Sequence, residues 1–437
     1  MYQRFSILRL KAFFLMLLTC FLASPCALAE SPANLWDMDA LGKPPKTFDP
    51  PDVFSEGYLE KIAEDNIRPI WFEGPPCQGK PTRVFAWYGA PKGKPGQKFP
   101  AMVMVHGGGG TANWQWVRYW TKRGYAAIAM DHDGYLPKKG PEHIKNKKGR
   151  ILNLRTGFSG PEPYCFTGLD KPLRDQWGYH AVASVILSHS LIRSFPEIDP
   201  ERTGLIGVSW GGYLVNLTVG VDLRFALAIS VYGTGFVGEH AVWADRELTA
   251  LSKADRDIWR KHWNPNEAYL KRNTDTPMLY VTGSNDFAYW LPALKKTVQA
   301  IRAPTTLCVR VRMKHGHDGG WKPAENYAFA DFFLKQGHRA LAKIAGQGRD
   351  GGSAWVAWES VVPITKAELC YTRDSGSWPK RHWEVRPAKT DTETTRASAE
   401  VPADATAYFF NLTDERGCVV SSVHVDQSKG TGEQDAR

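Results

Sequence analysis

Cysteine is scarce in this sequence, with seven among 437 residues, and none stands in the C-x-x-C spacing of a zinc or dithiol redox site. Two of them, Cys20 and Cys26, lie in an N-terminal segment that we expect to be cleaved. The other five are an odd number, so at least one thiol must be unpaired. Cys308 falls inside a predicted strand and is expected in the core. Cys370 and Cys418 share one C-terminal segment and could pair in an oxidising compartment.

Long apolar runs are also missing beyond the N-terminus. The chain opens with the cations Arg4, Arg9 and Lys11, an apolar stretch at 12–23 and Ala-Leu-Ala at 27–29. This order is typical of a cleaved secretory signal peptide. No later segment approaches the roughly 18 apolar residues that would span a bilayer. We therefore expect a secreted or periplasmic protein without a membrane span.

Blocks of basic charge and phosphate-binding glycine patterns are weak or absent. Removing the three cations of the signal segment lowers the net charge from +10 to +7, which is mild for this length. No Gly-Lys-Ser/Thr follows the glycine-rich stretch at 106–110, and no convincing G-x-G-x-x-G is present. We expect no nucleic acid, no cofactor and no metal. The His-x-His pair at 315–317 is an alternative metal site, but only Asp318 adjoins it as a further ligand.

What is present is a G-x-S-x-G pentapeptide at 207–211, centred on Ser209. The apolar run before it predicts a buried strand, and the residues from Gly212 onward begin a helical pattern. This is the strand–turn–helix context of a nucleophile elbow, in which glycines flank the serine because the turn is sharp. The alternative is a glycine-rich turn with an incidental serine.

A serine nucleophile needs a base and an acid that orients the base. Asp286 follows a predicted strand at 277–282 and is the candidate acid, whereas Asp275 precedes that strand and would lie at the wrong end. Two histidines follow the next strand. We favour His317 over His315 as the base, since His317 lies further beyond the strand and beside glycines that would let the loop reach Ser209.

The fourth expected part is an oxyanion hole. A predicted strand at 101–105 ends in His106 and four glycines, which let backbone N–H groups approach a developing negative oxygen. We expect the donors to be the N–H of Trp210, after the nucleophile, and that of Gly108 or Gly109. Together with Ser209, Asp286 and His317 they predict acyl-transfer chemistry.

At these motifs the sequence resembles secreted bacterial acetylxylan-esterase-like α/β-hydrolases, which are related to the prolyl oligopeptidase and dienelactone hydrolase lineages. The resemblance rests on stretches at 106–114, 124–131, 207–213, 281–289 and 315–321, and covers roughly residues 60–340. It implies the same triad and an oxyanion loop at 107–109. The resemblance does not identify the substrate, because esterases and peptidases share this scaffold.

The pattern predicts an α/β-hydrolase fold, a mostly parallel doubly wound sheet, followed by a small antiparallel β-sandwich. Strands are expected near 67–72, 83–88, 100–105, 125–130, 203–208, 226–231, 277–282 and 306–312. The predicted organisation is a signal peptide (1–29), an extended lead-in (30–60), the catalytic domain (61–346), the sandwich (347–426), which begins with a linker at 347–353, and a disordered tail (427–437). We expect the sandwich to pack on the catalytic domain, although polysaccharide binding is also open.

Seventeen tryptophans are many for this length. Insertions at 134–173 and 236–270 are expected around the active-site mouth. Several tryptophans fall near predicted loops or the elbow, where flat rings suit sugar stacking, although ordinary packing is the competing explanation: Trp114, Trp116, Trp120, Trp210, Trp243, Trp290 and Trp321. Of these we expect Trp114, Trp290 and Trp321 to contact substrate.

The favoured function is hydrolysis of acetyl or small acyl esters on carbohydrate, so the expected partner is an acylated carbohydrate or another small ester. A prolyl oligopeptidase-type serine peptidase is the alternative. It is disfavoured because that family usually carries an N-terminal propeller of several hundred residues, whereas only about 50 residues precede the first strand here. A third possibility is a non-enzymatic polysaccharide binder with an inactive triad. It is disfavoured because a suitable residue is present at every catalytic position. The sequence leaves the sugar, the acyl group and the oligomeric state open.

Overall fold

A computed structural model describes residues 35–50, 56–137, 154–155, 160–161 and 164–427. The predicted signal peptide and nearly all of the predicted tail lie outside this part of the chain. In chain order the strands are β1 (Thr47–Phe48), β2 (Ile67–Cys77), β3 (Lys80–Gly89), β4 (Phe99–Val105), β5 (Ala126–Met130), β6 (Tyr135–Leu136), β7 (Leu154–Arg155), β8 (Ile198–Val208), β9 (Leu227–Val231), β10 (Met278–Gly283), β11 (Thr305–Arg310), β12 (Lys343–Asp350), β13 (Ser353–Glu359), β14 (Ile364–Thr372), β15 (Glu384–Pro387), β16 (Lys389–Asp391), β17 (Arg396–Glu400), β18 (Ala407–Asp414), β19 (Val419–Ser421) and β20 (Val425–Asp426).

The helices lie mostly between these strands. They are α1 (Met38–Leu41), α2 (Glu56–Ala63), α3 (Trp114–Thr121), α4 (Trp177–Arg193), α5 (Trp210–Thr218), α6 (Val242–Asp245), α7 (Glu247–Ala250), α8 (Lys253–His262), α9 (Glu267–Leu270), α10 (Leu291–Ala300), α11 (His317–Trp321) and α12 (Ala324–Leu334). Short 3₁₀ turns cover Leu173–Asp175 and Trp378–Lys380.

Nine of the described strands form the main sheet, in the order β1-β2-β3-β5-β4-β8-β9-β10-β11. The strands from β5 to β11 along this order are parallel, and β1, β2 and β3 pair antiparallel. All eight strands predicted for this region are present. The mostly parallel sheet with interleaved helices confirms the predicted α/β-hydrolase fold.

Four central strands are buried along their whole length, without a solvent-facing side. Every residue of β4, β5, β9 and β10 is buried. Such strands require cover on both faces of the sheet, as helical crossovers provide. Helix α4 is itself buried from Trp177 to Ile192 and packs on β4, β5 and β8. Because these strands are parallel, their carboxyl ends meet at one edge of the sheet, where loop residues gather.

The described part of the lead-in is more ordered than the sequence predicted. It contains α1, and β1 pairs antiparallel with β2. Leu35 and Trp36 are buried, and the Trp36 ring stacks on Tyr179 of α4 at 5.0 Å. A two-residue strand and a four-residue helix are too short to show a hydrophobic period, so they could not be predicted in this proline-rich segment.

The C-terminal residues form two antiparallel sheets, with β12-β13-β17-β16 in one and β15-β14-β18-β19 in the other, to which β20 adds. Their facing sides enclose a separate apolar core. Strand β18 shows how the layers are built, because alternate residues point to opposite faces. Tyr408, Phe410 and Leu412 enter the sandwich core, whereas Ala407 and Phe409 join the core of the catalytic part. The predicted sandwich and its packing on the catalytic part are confirmed.

The sandwich also covers the last strand of the main sheet. Ser421 Oγ accepts a hydrogen bond from the backbone N–H of Val309 in β11, at 2.7 Å. Asn411 Nδ2 donates to the Val309 carbonyl at 3.1 Å. Because an uncovered edge strand presents unpaired N–H and C=O groups, these side chains complete the polar edge of β11.

Two expectations for this region were wrong. Residues 347–350 belong to β12 and pair with β13, so no linker precedes the sandwich; the glycines allow the tight hairpin after β12 rather than flexibility. All five described cysteines are buried free thiols. Cys370 and Cys418 do not pair because β18 lies between β14 and β19. Two strand spacings, about 9–10 Å, exceed the reach of a disulfide.

Candidate active site

Ser209 lies at the tip of a sharp turn between β8 and α5. Its backbone angles, φ 57° and ψ −116°, fall outside the conformations that non-glycine residues normally adopt. The Ser209 N–H donates to the Val231 carbonyl at 2.8 Å, and the Ser209 carbonyl accepts from Tyr213 N–H at 2.9 Å. These bonds to β9 and α5 hold the strained residue in place, as in a nucleophile elbow.

The two flanking glycines are required by close packing of backbone. A Cβ at Gly207 would lie 2.2 Å from the Gly211 carbonyl oxygen, and one at Gly211 would lie 2.1 Å from the Val105 carbonyl oxygen. No side chain fits at either distance. The glycines therefore allow the turn to sit against the end of β4, where the glycine-rich loop begins.

Asp286 lies in the loop after β10, as predicted, and is almost fully buried. Its Oδ1 accepts backbone hydrogen bonds from Ala288 and Tyr289, both at 2.8 Å. Its Oδ2 is 2.7 Å from Nδ1 of His315. The two backbone bonds fix the carboxylate so that Oδ2 faces the imidazole. Asp275 is exposed and precedes β10.

His315, not His317, joins Asp286 to Ser209. His315 Nε2 lies 2.9 Å from Ser209 Oγ, so one imidazole links the hydroxyl to the carboxylate. The preference for His317 is thus corrected. The chain turns back directly after β11, with Met313 N–H bonded to the Arg310 carbonyl and Arg312 at φ 58°. Because the chain reverses this early, residue 315 already reaches Ser209, and the two additional residues up to His317 are not needed.

His317 instead binds the glycine-rich loop. It is the first residue of α11, and its Nε2 accepts a hydrogen bond from Gly107 N–H at 2.9 Å. Burial, together with the neighbouring His106 and His315, lowers the pKa of His317 to about 4. At neutral pH it is therefore an uncharged acceptor, and it ties the histidine loop to the loop after β4.

This bond decides which loop donors are free for an oxyanion. Gly107 N–H is engaged by His317, whereas Gly108 and Gly109 line the same pocket as Ser209. Trp210 is the first residue of α5, where a helical N–H has no partner four residues earlier. The predicted donors Trp210, Gly108 and Gly109 are thus adjacent to the nucleophile, and their catalytic role is a proposal below.

The pocket around Ser209 and His315 has a volume of about 720 Å³. Its walls come from both predicted insertions, which contribute Tyr164, Cys165 and Trp243. Further aromatic walls are the rings of Trp177, Trp210 and Phe287. The insertions therefore surround the site, as expected, so far as their described residues show.

The three tryptophans expected to contact substrate do not line this pocket. Trp321 is buried, and its ring stacks on Trp116 at 5.3 Å between α11 and α3. Trp290 caps α10, and its indole N–H donates to the Phe287 carbonyl at 3.3 Å. Trp114 begins α3 and packs against the core. Packing, the competing explanation, accounts for all three.

Sequence reasoning missed a polar group on the pocket wall, at His132 and Asp133. His132 Nδ1 lies 3.0 Å from Asp133 Oδ1, and the His132 ring stacks on His106 at 3.9 Å. These residues directly follow β5, at the carboxyl edge of the sheet. Like Asp286, they could have been predicted from their position after a parallel strand.

No group of three or more His, Cys, Asp or Glu side chains within the described ranges is arranged to hold a metal ion. No helix in this part of the chain combines the length and hydropathy of a membrane-crossing segment.

Comparison with known proteins places these features in context. The model of the acetyl xylan esterase family (AXE1) matches residues 71–233, and that of the prolyl oligopeptidase family matches residues 169–337. The first match contains the glycine-rich loop and the elbow, and the second contains the elbow, Asp286 and His315.

Individual relatives are distant. A probable dipeptidyl-peptidase 5 from Aspergillus clavatus is 24% identical over 243 residues, which are 52% of this chain and 29% of that protein. Dipeptidyl-peptidase 5 from Trichophyton schoenleinii is 23% identical over 244 residues, 52% of this chain and 29% of that protein. The chain thus spans less than a third of the length of these relatives.

A solved structure supports the same scaffold. An acetyl xylan esterase from Paenibacillus sp. R4 superimposes with a TM-score of 0.51 at 17% identity, covering 70% of this chain and 94% of that one. At this identity the likeness concerns the fold. The predicted resemblance is confirmed: the chain has the α/β-hydrolase fold, and parts of its sequence match the models of the acetyl xylan esterase family and of the prolyl oligopeptidase family.

Proposed function

We propose that this chain is a serine esterase that removes acetyl or another small acyl group from carbohydrate. The observation that carries the proposal is the hydrogen-bonded series Ser209–His315–Asp286, which opens into an aromatic pocket of about 720 Å³. Flat rings suit the faces of a sugar, and the volume is in the range of small-molecule sites.

The reaction follows from these contacts. Ser209 Oγ attacks the ester carbonyl carbon while His315 Nε2 takes its proton, and the carbonyl electron pair moves to oxygen. Asp286 Oδ2 holds Nδ1–H of His315 and stabilises the positive imidazolium. The C–O bond to the sugar then breaks, and His315 gives its proton to the leaving sugar oxygen. Water then attacks the acyl carbonyl carbon while His315 takes its proton. The bond to Ser209 Oγ breaks, His315 returns the proton to Oγ, and the acyl group leaves as the acid.

The developing oxyanion requires donors already in place. The N–H groups of Trp210 and of Gly108 or Gly109 supply them in this proposal. Each such donor is typically worth about 3–4 kcal/mol of barrier. His317 supports the same loop indirectly, because it engages Gly107 N–H and leaves the next N–H groups to the substrate.

The test is hydrolysis by the purified full chain of p-nitrophenyl acetate and acetylated xylan, compared with aminoacyl p-nitroanilides. We expect acetate release from both esters, with loss of at least about 10³-fold in Ser209→Ala. Turnover near wild type in Ser209→Ala would remove Ser209 from the reaction. Absence of ester hydrolysis by the folded protein would refute the proposal.

A serine peptidase is the second candidate. It is favoured by the match to the prolyl oligopeptidase family, which includes every residue of the Ser209–His315–Asp286 series. The chain covers only 29% of the first peptidase relative, so that relative's activity does not transfer as a whole. A higher kcat/KM on the anilides than on the esters would select this alternative.

We also propose that the protein is exported and that its signal peptide is cleaved after residue 29. The support is the sequence of the N-terminal segment alone. N-terminal sequencing of the protein secreted by an expressing bacterium should begin at Glu30; an intact N-terminus on exported protein would contradict cleavage there.

A further inference from the structure

One carboxylate stands in the otherwise aromatic wall of the pocket. Asp133 lines the same cavity as Ser209 and His315, and its side chain is only 12% exposed. A carboxylate is costly to hold in such surroundings unless its oxygens are hydrogen bonded. Neither the proton transfer nor the oxyanion uses it, so its presence calls for a separate role.

One oxygen of Asp133 is fully engaged by the protein. Trp177 Nε1 donates to Oδ1 at 2.7 Å, and His132 Nδ1 lies 3.0 Å from the same atom. No described residue donates to Oδ2 within hydrogen-bond distance. The two bonds to Oδ1 fix the plane of the carboxylate at the pocket wall and leave its second oxygen as an acceptor.

The charges around Asp133 indicate what this oxygen can accept. Burial works against both ions, but the attraction between Asp133 and His132 outweighs it, so the pKa of Asp133 is lowered and that of His132 is raised. Both ring nitrogens of His132 face acceptors, since Nδ1 lies 3.0 Å from Asp133 Oδ1 and Nε2 lies 3.0 Å from the His106 carbonyl oxygen, so the contacts suit the protonated ring. A neutral donor is more compatible with Oδ2 than a second full positive charge beside the imidazolium of His132.

We propose that Asp133 is a specificity-determining residue that accepts a hydrogen bond from a hydroxyl of the sugar carrying the scissile ester. This inference rests on the proposed esterase function and adds one contact to it. Trp177 both presents a ring to the pocket and, through Nε1–H, holds Asp133 in the accepting orientation. A polar contact of this kind orients a ligand that aromatic walls alone would leave free to rotate.

The experiment compares two esters, one with and one without hydroxyls. kcat and KM are measured for a monoacetylated methyl xyloside and for p-nitrophenyl acetate, with wild type and Asp133→Asn. With its remaining oxygen held by Trp177, the asparagine turns an NH₂ group toward the pocket in place of the acceptor. We expect the ratio of kcat/KM, sugar ester over p-nitrophenyl acetate, to fall at least about 10-fold, mostly through KM.

Two further variants separate recognition from structure. Trp177→Phe keeps a ring but removes the N–H that fixes Asp133, and should lower the same ratio by a smaller factor. Asp199→Asn, at an ion pair with Arg202 outside the pocket, is the matched control and should leave the ratio at its wild-type value. Labelling of Ser209 by a fluorophosphonate reports whether each variant retains a folded site.

Each outcome decides between alternatives. Equal losses on both esters in Asp133→Asn and in Trp177→Phe would assign Asp133 a structural role and overturn the inference. A larger loss on an alanyl ester, which carries an ammonium group, than on the sugar ester would replace the hydroxyl by a cation. If wild type hydrolyses p-nitrophenyl acetate and the sugar ester but the ratio does not change, the inference fails while the proposed function stands. If it hydrolyses neither ester, both fail.

Discussion

Replacing each of the two neighbouring histidines by glutamine gives the sharpest test of the site. Glutamine is neutral and carries a carbonyl oxygen, so it can accept a hydrogen bond but cannot shuttle a proton. His315 lies between Ser209 and Asp286, whereas His317 only accepts from Gly107 N–H. The same substitution therefore removes the base at position 315 and retains the acceptor at position 317.

The expected magnitudes differ widely. General acid–base catalysis contributes about 10²–10⁴-fold, and members of a triad act as a unit, so His315→Gln should lower kcat by about 10⁴-fold or more. In His317→Ala the buried Gly107 N–H loses its acceptor, a cost of about 1–3 kcal/mol. At about 1.4 kcal/mol per tenfold, that is at most roughly 5- to 150-fold if the whole cost falls on the transition state.

The assay is the hydrolysis of p-nitrophenyl acetate by both glutamine variants and by His317→Ala. We expect His317→Gln to recover most of the activity lost in His317→Ala, because its side chain can accept from Gly107. A loss in His317→Gln as large as that in His315→Gln would refute the assignment of His315 as the base, and with it the account of the loop after β11.

Three further predictions concern the surroundings of the site. Asn285 Nδ2 donates to two carbonyl groups of the C-terminal segment, at 3.1 and 2.6 Å. Asn285→Ala should therefore lower the free energy of unfolding by about 1–3 kcal/mol, and it should lower kcat because the loop that carries Asp286 is displaced. Urea unfolding and kcat both at wild-type values would contradict this. Burial lowers the pKa values of His180 and His317 to about 4 and that of His424 to about 3, below the unfolded value near 6.5. The unfolded chain then binds more protons below pH 6.5, so stability should fall toward pH 4 by up to about 1.4 kcal/mol per pH unit for each group, and a free energy of unfolding that is constant from pH 6.5 to 5 would exclude it. Trp321→Ala should lower stability by about 3–5 kcal/mol, while KM in the folded fraction stays within about twofold; a large rise in KM would restore Trp321 as a substrate contact.

The sequence was most informative where a feature depends on neighbours along the chain. Strands β4, β5, β9 and β10 are largely apolar runs, and the elbow at Ser209 has glycines two residues away on either side, so both could be predicted. Asp286 could be placed because residues after parallel strands share one edge of the sheet.

The errors arose where position depends on a loop's path through space. The choice between His315 and His317 turned on how soon the chain reverses after Arg310, and Arg312 in a left-handed conformation gave no signal in the sequence. Similarly, the sequence favoured Trp321 over Trp243 as a substrate contact, but Trp321 packs between two helices and Trp243 lines the pocket. Only tertiary contacts distinguish a ring that stabilises from one that can meet a ligand.

The dependence of β11 on residues from the sandwich affects how the protein can be made. Its backbone groups at Val309 bind Asn411 and Ser421, which the ribosome adds about a hundred residues later. Until the sandwich has been synthesised, β11 is an uncovered edge strand of the main sheet. Uncovered edge strands can pair with strands of other chains, which leads to aggregation. A catalytic fragment that stops at residue 346 should accordingly aggregate on expression, and the two parts of this chain cannot be exchanged as independent modules.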